Sequence, residues 1–307
     1  MKNRSVSGIF LAIVAIIALA VGCHKGFIEE QPETPNPEPV ALGPEFKTNC
    51  TDAPDYGSTL ICFKWKGPKN DHIITPLNNP GDGKYIAWPQ GLTIDSSTGA
   101  INVSKSETGA RYMVGFIKNG TSDTCKTEII LGGITYVDNI YVMSENDTLA
   151  APYFNASPVA SPVCDANNNN PPTANDCEFD DGDDDDNGNG QSDEPPPGPR
   201  ANDQHVKVRT NNGVINLKRS LEEGVFGPNP KNGASKEVAI YYRLNDCSNK
   251  ALQKINIRLL YYEKRSDIPQ NLSKDISARR NDFFLSRYIS SPTAPRPPQI
   301  IIARLAE

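Results

Sequence analysis

The chain has 307 residues, of which 37% are hydrophobic, and it carries a formal net charge of −6 at pH 7. Its 26 prolines and 23 glycines suit short strands joined by irregular segments, which predicts a multi-part, mainly β protein and argues against one compact α/β enzyme. The basic residues of the C-terminal third are scattered along predicted strands and are interpreted as a solvated face, and no nucleic-acid partner is expected.

The N-terminus has the residue order of a secretory leader. Lys2 and Arg4 precede the apolar run GIFLAIVAIIALAV, which Gly22 and Cys23 follow. The run is shorter than the roughly 20 apolar residues that a membrane-spanning helix needs. We therefore predict that residues 1–22 are a signal peptide.

The sequence AVGC at the end of this leader resembles the lipobox of bacterial lipoproteins, although Ala20 stands where Leu is usual. The resemblance implies that Cys23 is diacylated and becomes the new N-terminus. Glu29 and Glu30 loosely resemble the acidic export signal of Bacteroidetes-type lipoproteins. We expect an outer-membrane anchor, on either the periplasmic or the cell-surface face. The Pro- and Glu-rich residues 23–46 are expected to form an extended tether.

Residues 47–150 contain short alternating runs that predict an antiparallel β-sandwich. Within them, WPQGLTIDSSTGAINVSKSETGARYMVGFI (88–117) resembles the Ig- and cadherin-like domains of bacterial surface proteins. The resemblance implies an Ig-like fold and says almost nothing about function. In this segment the residues from Asp95 to Gly99 predict a turn, because Asp and Ser bond the backbone and Gly permits a positive φ.

Six cysteines remain once Cys23 is lipidated, and an even number in an exported chain predicts disulfides rather than a zinc or haem site. Six cysteines allow 15 pairings, which the sequence does not resolve. A local bridge between Cys164 and Cys177 is the favoured pairing. The six candidates are Cys50, Cys62, Cys125, Cys164, Cys177 and Cys247.

Residues 151–203 are rich in Asn, Asp and Pro and predict an irregular linker. From Asp183 the sequence DDDDNGNGQSDE matches the spacing of an EF-hand-like calcium loop, in which hard oxygen ligands recur at alternate positions. A second register, from Asp185, resembles the calcium loops of thrombospondin type 3 repeats. Together the candidate ligands are Asp183, Asp185, Asn187, Asn189, Gln191, Asp193 and Glu194.

A hydrated acidic linker that binds cations only diffusely is the competing interpretation of this segment. The prolines from Pro195 to Pro197 forbid the exiting helix of a true EF-hand. If calcium binds, its role is structural: it lets the loop fold and stiffens the junction between two β blocks.

Residues 204–307 predict a second β-rich domain. KEVAIYYRL and QKINIRLLYYE indicate central strands, and QIIIARL indicates a last strand docked in the sheet. Residues 272–288 fit a helix or a long loop equally well.

Three features bear on chemistry. In the pairs Tyr241-Tyr242 and Tyr261-Tyr262 one ring of each must face outward if the segments are regular strands. These outward rings predict an exposed cross-strand patch, the best ligand-site hypothesis from the sequence. His72 and His205 are interpreted as ordinary histidines, and the chain lacks the common hydrolase motifs. Asp147-Thr148-Leu149 resembles the O-glycosylation sequon of Bacteroidetes exported proteins, which marks Thr148.

The sequence therefore predicts a non-enzymatic, lipid-anchored envelope protein with a structural or adhesion role. A glycan- or protein-binding accessory module is the alternative, and a hydrolase is the least favoured reading.

Overall fold

The computed structural model describes residues 46–47 (backbone only), 50–67, 69–159, 163–164, 177–181, 196–285 and 296–307. All of these belong to a single contact unit, Gly43–Glu307. The predicted calcium ligands, the leader and the tether up to residue 45 lie outside the described residues.

The protein is mainly β, as the sequence predicts. The strands are β1 Phe46–Lys47, β2 Leu60–Ile61, β3 Ile73–Ile74, β4 Gly83–Trp88, β5 Ile101–Asn102, β6 Ala110–Lys118, β7 Thr124–Leu131, β8 Ile134–Thr135, β9 Asn139–Val142, β10 Leu149–Ala150, β11 Tyr153–Phe154, β12 Glu178–Phe179, β13 Ile215–Asn216, β14 Ser235–Arg243, β15 Gln253–Lys264 and β16 Gln299–Leu305. The helices are α1 Leu217–Glu222 and α2 Gln270–Phe284, with 3₁₀ turns at Val103–Lys105, Met143–Glu145, Asn202–Gln204 and Arg265–Asp267.

The first sheet has the order β1-β7-β6-β4, and β2 also pairs with β7. Its centre is the antiparallel pair β6 and β7, in which Phe116 lies opposite Cys125. Successive residues from Tyr112 to Phe116 are all buried, so β6 is covered on both faces. The core of this sheet comprises Ile61, Tyr85, Ile101, Val103, Tyr112, Val114, Phe116, Ile129 and Leu131.

The second sheet has the order β12-β14-β15-β16-β9. The hairpin of β14 and β15 is antiparallel, whereas β15 and β16 run parallel, as do β16 and β9. Parallel neighbours need a crossover connection, and α2 lies between β15 and β16 in the chain. The sheet is therefore mixed, and the last strand docks in it as predicted.

The Asp95 turn has the structure that its residues predict. Its carboxylate Oδ1 accepts hydrogen bonds from the backbone N–H groups of Ser97 at 2.9 Å and of Thr98 at 2.8 Å. Gly99 adopts a φ of 71°, a conformation that favours glycine. The turn brings Ile94 and Ile101 together in an isolated antiparallel bridge.

Three disulfides join the six cysteines that follow Cys23 in the chain. They are Cys50–Cys125, Cys62–Cys247 and Cys164–Cys177, with Cα separations of 5.3, 5.7 and 5.3 Å. The local bridge is the pairing that the sequence favours. The bridge with a separation of 185 residues connects the end of β2 in the first sheet with the loop between β14 and β15 in the second.

Candidate functional site

The described residues that flank the acidic stretch are held together at one place on the second sheet. Strand β12 pairs with β14, and the N–H of Asp180 donates to the carbonyl of Tyr241 at 2.8 Å. The Asp180 carboxylate accepts from the backbone N–H of Ala201 at 2.6 Å and of Asn202 at 2.7 Å. The chain thus leaves the sheet at Asp180 and returns beside it at Ala201. The predicted calcium ligands lie between these two residues in the sequence.

Asp180 is itself only 2% exposed. Burial raises the pKa of its carboxyl group, while the hydrogen bonds from Asn202 and Ala201 act in the opposite direction. The residue adopts a φ of 50°, a left-handed conformation that Asp tolerates better than most residues. Its role is to fix the base of the acidic segment, since its oxygens are occupied by donors from Ala201 and Asn202.

The predicted tyrosine patch is wrong. Tyr242, Tyr261 and Tyr262 are buried, with 1%, 2% and 6% exposure, and only Tyr241 is partly exposed. The register places Tyr241 opposite Lys254 and Tyr261 opposite Ile302, so the two pairs of tyrosines do not face each other across the sheet. These rings cannot form the exposed patch that the sequence suggested.

The physical reason is that β15 is covered on both faces. Tyr262 packs in a core with residues of β9, β16 and α2, including Ile276. On the opposite face the Tyr261 ring lies 5.8 Å from the ring of Phe226, and its hydroxyl bonds Glu263. A strand buried on both faces has no outward side, so its alternation does not report solvent exposure.

A different group of aromatic rings lies partly at the surface. The Tyr153 ring on β11 lies 5.1 Å from Phe283 and 5.6 Å from Phe284, both at the C-terminal end of α2. The Arg280 guanidinium lies 5.7 Å from the centre of the Phe284 ring. Tyr153 and Phe283 are half-buried, and Phe284 is 37% exposed. We call Tyr153, Arg280, Phe283 and Phe284 the Tyr153 cluster.

Polar groups surround this cluster. Burial raises the pKa of Tyr141 to about 12, and a hydrogen bond with Asn139 opposes this shift. Tyr141 also interacts electrostatically with Asp147, Tyr153 and Arg280. Partial burial likewise raises the pKa of the Asp147 carboxyl, and the Arg280 charge opposes that shift. The cluster therefore combines two half-buried rings and one exposed ring with the Arg280 guanidinium, and the Asp147 carboxylate interacts with that guanidinium. This combination suits ligands with an apolar face and a hydroxylated edge.

A cleft of about 200 Å³ lies elsewhere, against β7 of the first sheet. Its walls are the loop that carries Tyr56 and the outer part of β7 around Glu128. The Tyr56 hydroxyl donates to the carbonyl of Gly99 at 2.7 Å, and Asp55 Oδ1 accepts from the N–H of Gly57 at 2.8 Å. These polar groups serve the local backbone, so the cleft is a weaker candidate than the Tyr153 cluster.

The two histidines lie in different local environments. His72 is 8% exposed, and its Nδ1 accepts from the N–H of Lys64 at 3.1 Å. Burial lowers its pKa, as do the charges of Lys66 and Lys64. His205 is exposed and ends the 3₁₀ turn Asn202–Gln204 with a φ of 66°.

The other predicted sites are placed as follows. Thr148 is half-buried beside β10, and its carbonyl accepts from the N–H of Leu217 at 2.9 Å; its glycosylation stays a prediction. Cys23 and the seven predicted calcium ligands lie outside the described residues.

The sequence analysis missed the Tyr153 cluster. NDFFL lies in the segment that fitted a helix or a loop equally well, and the structure makes it the end of α2. Two adjacent phenylalanines near the end of a helix are a usable signal, because on a short helical turn both cannot point into the same core. Nothing local in the sequence pairs them with Tyr153, more than a hundred residues earlier.

Comparisons with known proteins give little identity. No protein-family model matches the chain, and no curated protein matches it. One solved structure that aligns with this chain is a SusE-like, surface-located polysaccharide-binding protein from the heparin utilisation locus of Bacteroides thetaiotaomicron. The alignment covers 67% of this chain and 89% of that protein, with 12% sequence identity and a TM-score of 0.21. A score of that size does not establish a shared fold. None of the helices that the structure describes has the length and apolar character to span a bilayer.

Proposed function

We propose that this protein is a lipid-anchored envelope protein that binds a glycan at the Tyr153 cluster. The observation that carries the proposal is a set of three aromatic rings whose centres lie within 6 Å of one another. One of them, Phe284, is exposed and has the Arg280 guanidinium 5.7 Å from its centre. Aromatic groups at the surface beside polar residues are typical of interaction sites.

The chemistry of a sugar matches this surface. The C–H bonds on one face of a pyranose ring are apolar and pack against aromatic rings, whereas its hydroxyl groups need donors and acceptors at the edge. Phe284 and Tyr153 supply the rings. Arg280 supplies donors and Asp147 supplies acceptors, and each has an opposite charge nearby that keeps the site close to neutral. A neutral sugar fits this balance better than a highly charged one.

The anchor and location belong to the same proposal and are supported by the sequence. The leader, the lipobox-like AVGC and the Pro- and Glu-rich residues 23–46 suit an outer-membrane lipoprotein whose body stands off the bilayer. A glycan-binding body at the end of such a tether can reach polysaccharide outside the membrane.

The test is a binding screen of the purified mature chain against a panel of soluble polysaccharides, read by affinity electrophoresis. Phe284→Ala and Tyr153→Ala are expected to lose retardation on the polysaccharide that binds. Tyr241→Ala removes a partly exposed ring outside the cluster and is the matched control. Binding that survives both cluster variants would contradict the assignment of the site, and the absence of binding to the whole panel would contradict the function.

A structural or adhesion role is the second candidate, and the disulfides favour it. The bridge between Cys62 and Cys247 cross-links the two sheets, and a bridge that closes a long loop typically stabilises a fold by roughly 2–4 kcal/mol. A stiffened body suits a spacer that bears load. Calcium binding by the segment from Asp183 to Glu194 would add to that stiffness and stays part of the proposal.

A further inference from the structure

Two cysteines and one carboxylate form a compact group at the junction of the two sheets. Within the part of the chain that the structure describes, Cys62, Asp246 and Cys247 form the one group in which three possible metal-ligand atoms lie within 4.8 Å of one another. The two cysteines are oxidised to a disulfide, so in this state they are not thiolate ligands.

Only one of the two oxygens of the Asp246 carboxylate accepts a hydrogen bond from a described residue. Its Oδ1 accepts from the N–H of Ser248 at 2.8 Å. Its Oδ2 is buried and has no hydrogen-bond partner among the described residues. An anionic oxygen buried without a donor is unfavourable, and a disulfide has no S–H to offer it. A thiol or a cation between the sulfurs and Oδ2 would supply the missing partner.

The bridge is open to reagents from one side. Cys247 is exposed, whereas Cys62 is only 7% exposed. A thiolate in solution therefore attacks the Cys247 sulfur and displaces the Cys62 sulfur as the leaving group.

We propose that reduction of the Cys62–Cys247 disulfide by a dithiol creates a binding site for a thiophilic divalent cation, with Cys62 Sγ, Cys247 Sγ and Asp246 Oδ2 as the protein ligands. The dithiol transfers two electrons and two protons to the bridge and becomes a cyclic disulfide. The cation then displaces one proton from each new thiol, so binding releases two protons.

Zinc is the metal that this ligand set favours. Two thiolates and one carboxylate provide three ligands of a tetrahedral site, and water supplies the fourth. Zinc–sulfur bonds of about 2.3 Å place two thiolates roughly 3.8 Å apart, a separation that opening the bridge allows without a change in the Cα distance of 5.7 Å.

The test uses the mature chain, reduced with dithiothreitol, desalted without oxygen and titrated with Co²⁺ as a spectroscopic probe for zinc. We expect a thiolate-to-cobalt charge-transfer band that saturates at one equivalent. Cys247→Ser should abolish the band. Asp246→Asn keeps the disulfide in the oxidised chain, which allows its fold to be checked, and should weaken Co²⁺ binding by about tenfold or more.

The controls separate this site from the other thiols that reduction exposes. Cys164→Ser removes a cysteine of the local bridge and should leave the band unchanged. A band that survives Cys247→Ser, or one that Cys164→Ser abolishes, would place the metal elsewhere and overturn the proposal. A reduced chain that binds no Co²⁺ overturns it as well, whether or not circular dichroism shows that chain to be folded.

Discussion

The hydroxyl group of Tyr242 on the second sheet lies 3.1 Å from Oγ1 of Thr108, two residues before strand β6 of the first sheet. The same hydroxyl accepts a hydrogen bond from the backbone N–H of Ile134 at 3.3 Å. Its ring is fully enclosed and lies against Phe179 at 6.0 Å. One buried phenol thus connects the two sheets, close to the cross-link made by Cys62 and Cys247.

Tyr242→Phe should therefore destabilise the protein without disturbing its packing. The substitution leaves the buried N–H of Ile134 without its acceptor, which typically costs about 1–3 kcal/mol. Chemical denaturation measures the loss, and Tyr241→Phe, which changes a partly exposed ring, serves as the control. Equal stability of the two variants would show that the Tyr242 hydroxyl does not link the sheets.

The same group predicts sensitivity to alkaline pH. Burial raises the pKa of Tyr242 from its ordinary value of 10.0 to about 12. Because the folded state holds this proton more tightly than the unfolded state, the contribution to stability is complete below pH 10 and is lost as the pH rises through about 12. The free energy of unfolding, measured from pH 9 to pH 12, should fall less steeply with pH in Tyr242→Phe than in the wild type.

Gly109 permits the close approach of the chain to β8. A Cβ at this position would lie 2.1 Å from the carbonyl oxygen of Ile134, and the residue has a φ of +72°. Gly109→Ala should lower the free energy of unfolding by clearly more than the roughly 1–3 kcal/mol that the backbone conformation alone accounts for. Gly120→Ala is the matched control, because Gly120 has a φ of +79° with open space around it. Equal losses in urea denaturation of the two variants would refute the steric argument.

The Asp95 turn predicts an unusually acidic side chain. Hydrogen bonds from Ser97, first, and then from Thr98 lower the pKa of Asp95 from 3.8 to about 2. Since the folded-state pKa is depressed, the stability that the turn provides is present above about pH 4 and is lost as the pH falls towards 2. A ¹³C NMR titration of the carboxyl group measures this directly. Titration of Asp95 near 3.8 would mean that the turn does not form these bonds in solution.

Calcium binding by the acidic segment is tested by titration calorimetry on the mature chain. We expect saturable binding with a dissociation constant on the order of 0.1 to 1 mM, lost in Asp185→Ala. Asp184→Ala removes the same charge from the same segment at a position that is not a ligand in either register. If both variants weaken binding equally, or if no heat is seen at millimolar calcium, the segment is a hydrated acidic loop instead.

The sequence predicts the local features of this fold well and the long-range ones poorly. Alternation and turn residues locate the Asp95 turn and the central strands, because those features depend on near neighbours. The pairing of β9 with β16 and the bridge from Cys62 to Cys247 join residues that are more than 150 positions apart, so no local pattern reports them. The tyrosine prediction failed because the alternation within β15 does not show that residues of α2, β9 and β16 cover one face and Phe226 the other.

The Tyr153 cluster was equally inaccessible to sequence reasoning. The aromatic content of the chain suggested a stacking platform, but its position depends on how α2 docks. Arg296 bonds Asp138 at 2.6 Å and Asp275 on α2 at 2.8 Å, which ties the helix to the start of β16 and to β9. Those contacts bring Phe283 and Phe284 to Tyr153.

The measurement that tests the central claim most directly is isothermal titration of the mature chain with an oligosaccharide from the polysaccharide that gives the strongest retardation. We predict a Kd that weakens by about tenfold or more in Phe284→Ala, since loss of a stacked ring typically costs over about 1.4 kcal/mol at a binding site. Tyr241→Ala should bind as the wild type does. An unchanged Kd in Phe284→Ala and Tyr153→Ala would contradict glycan binding at the Tyr153 cluster.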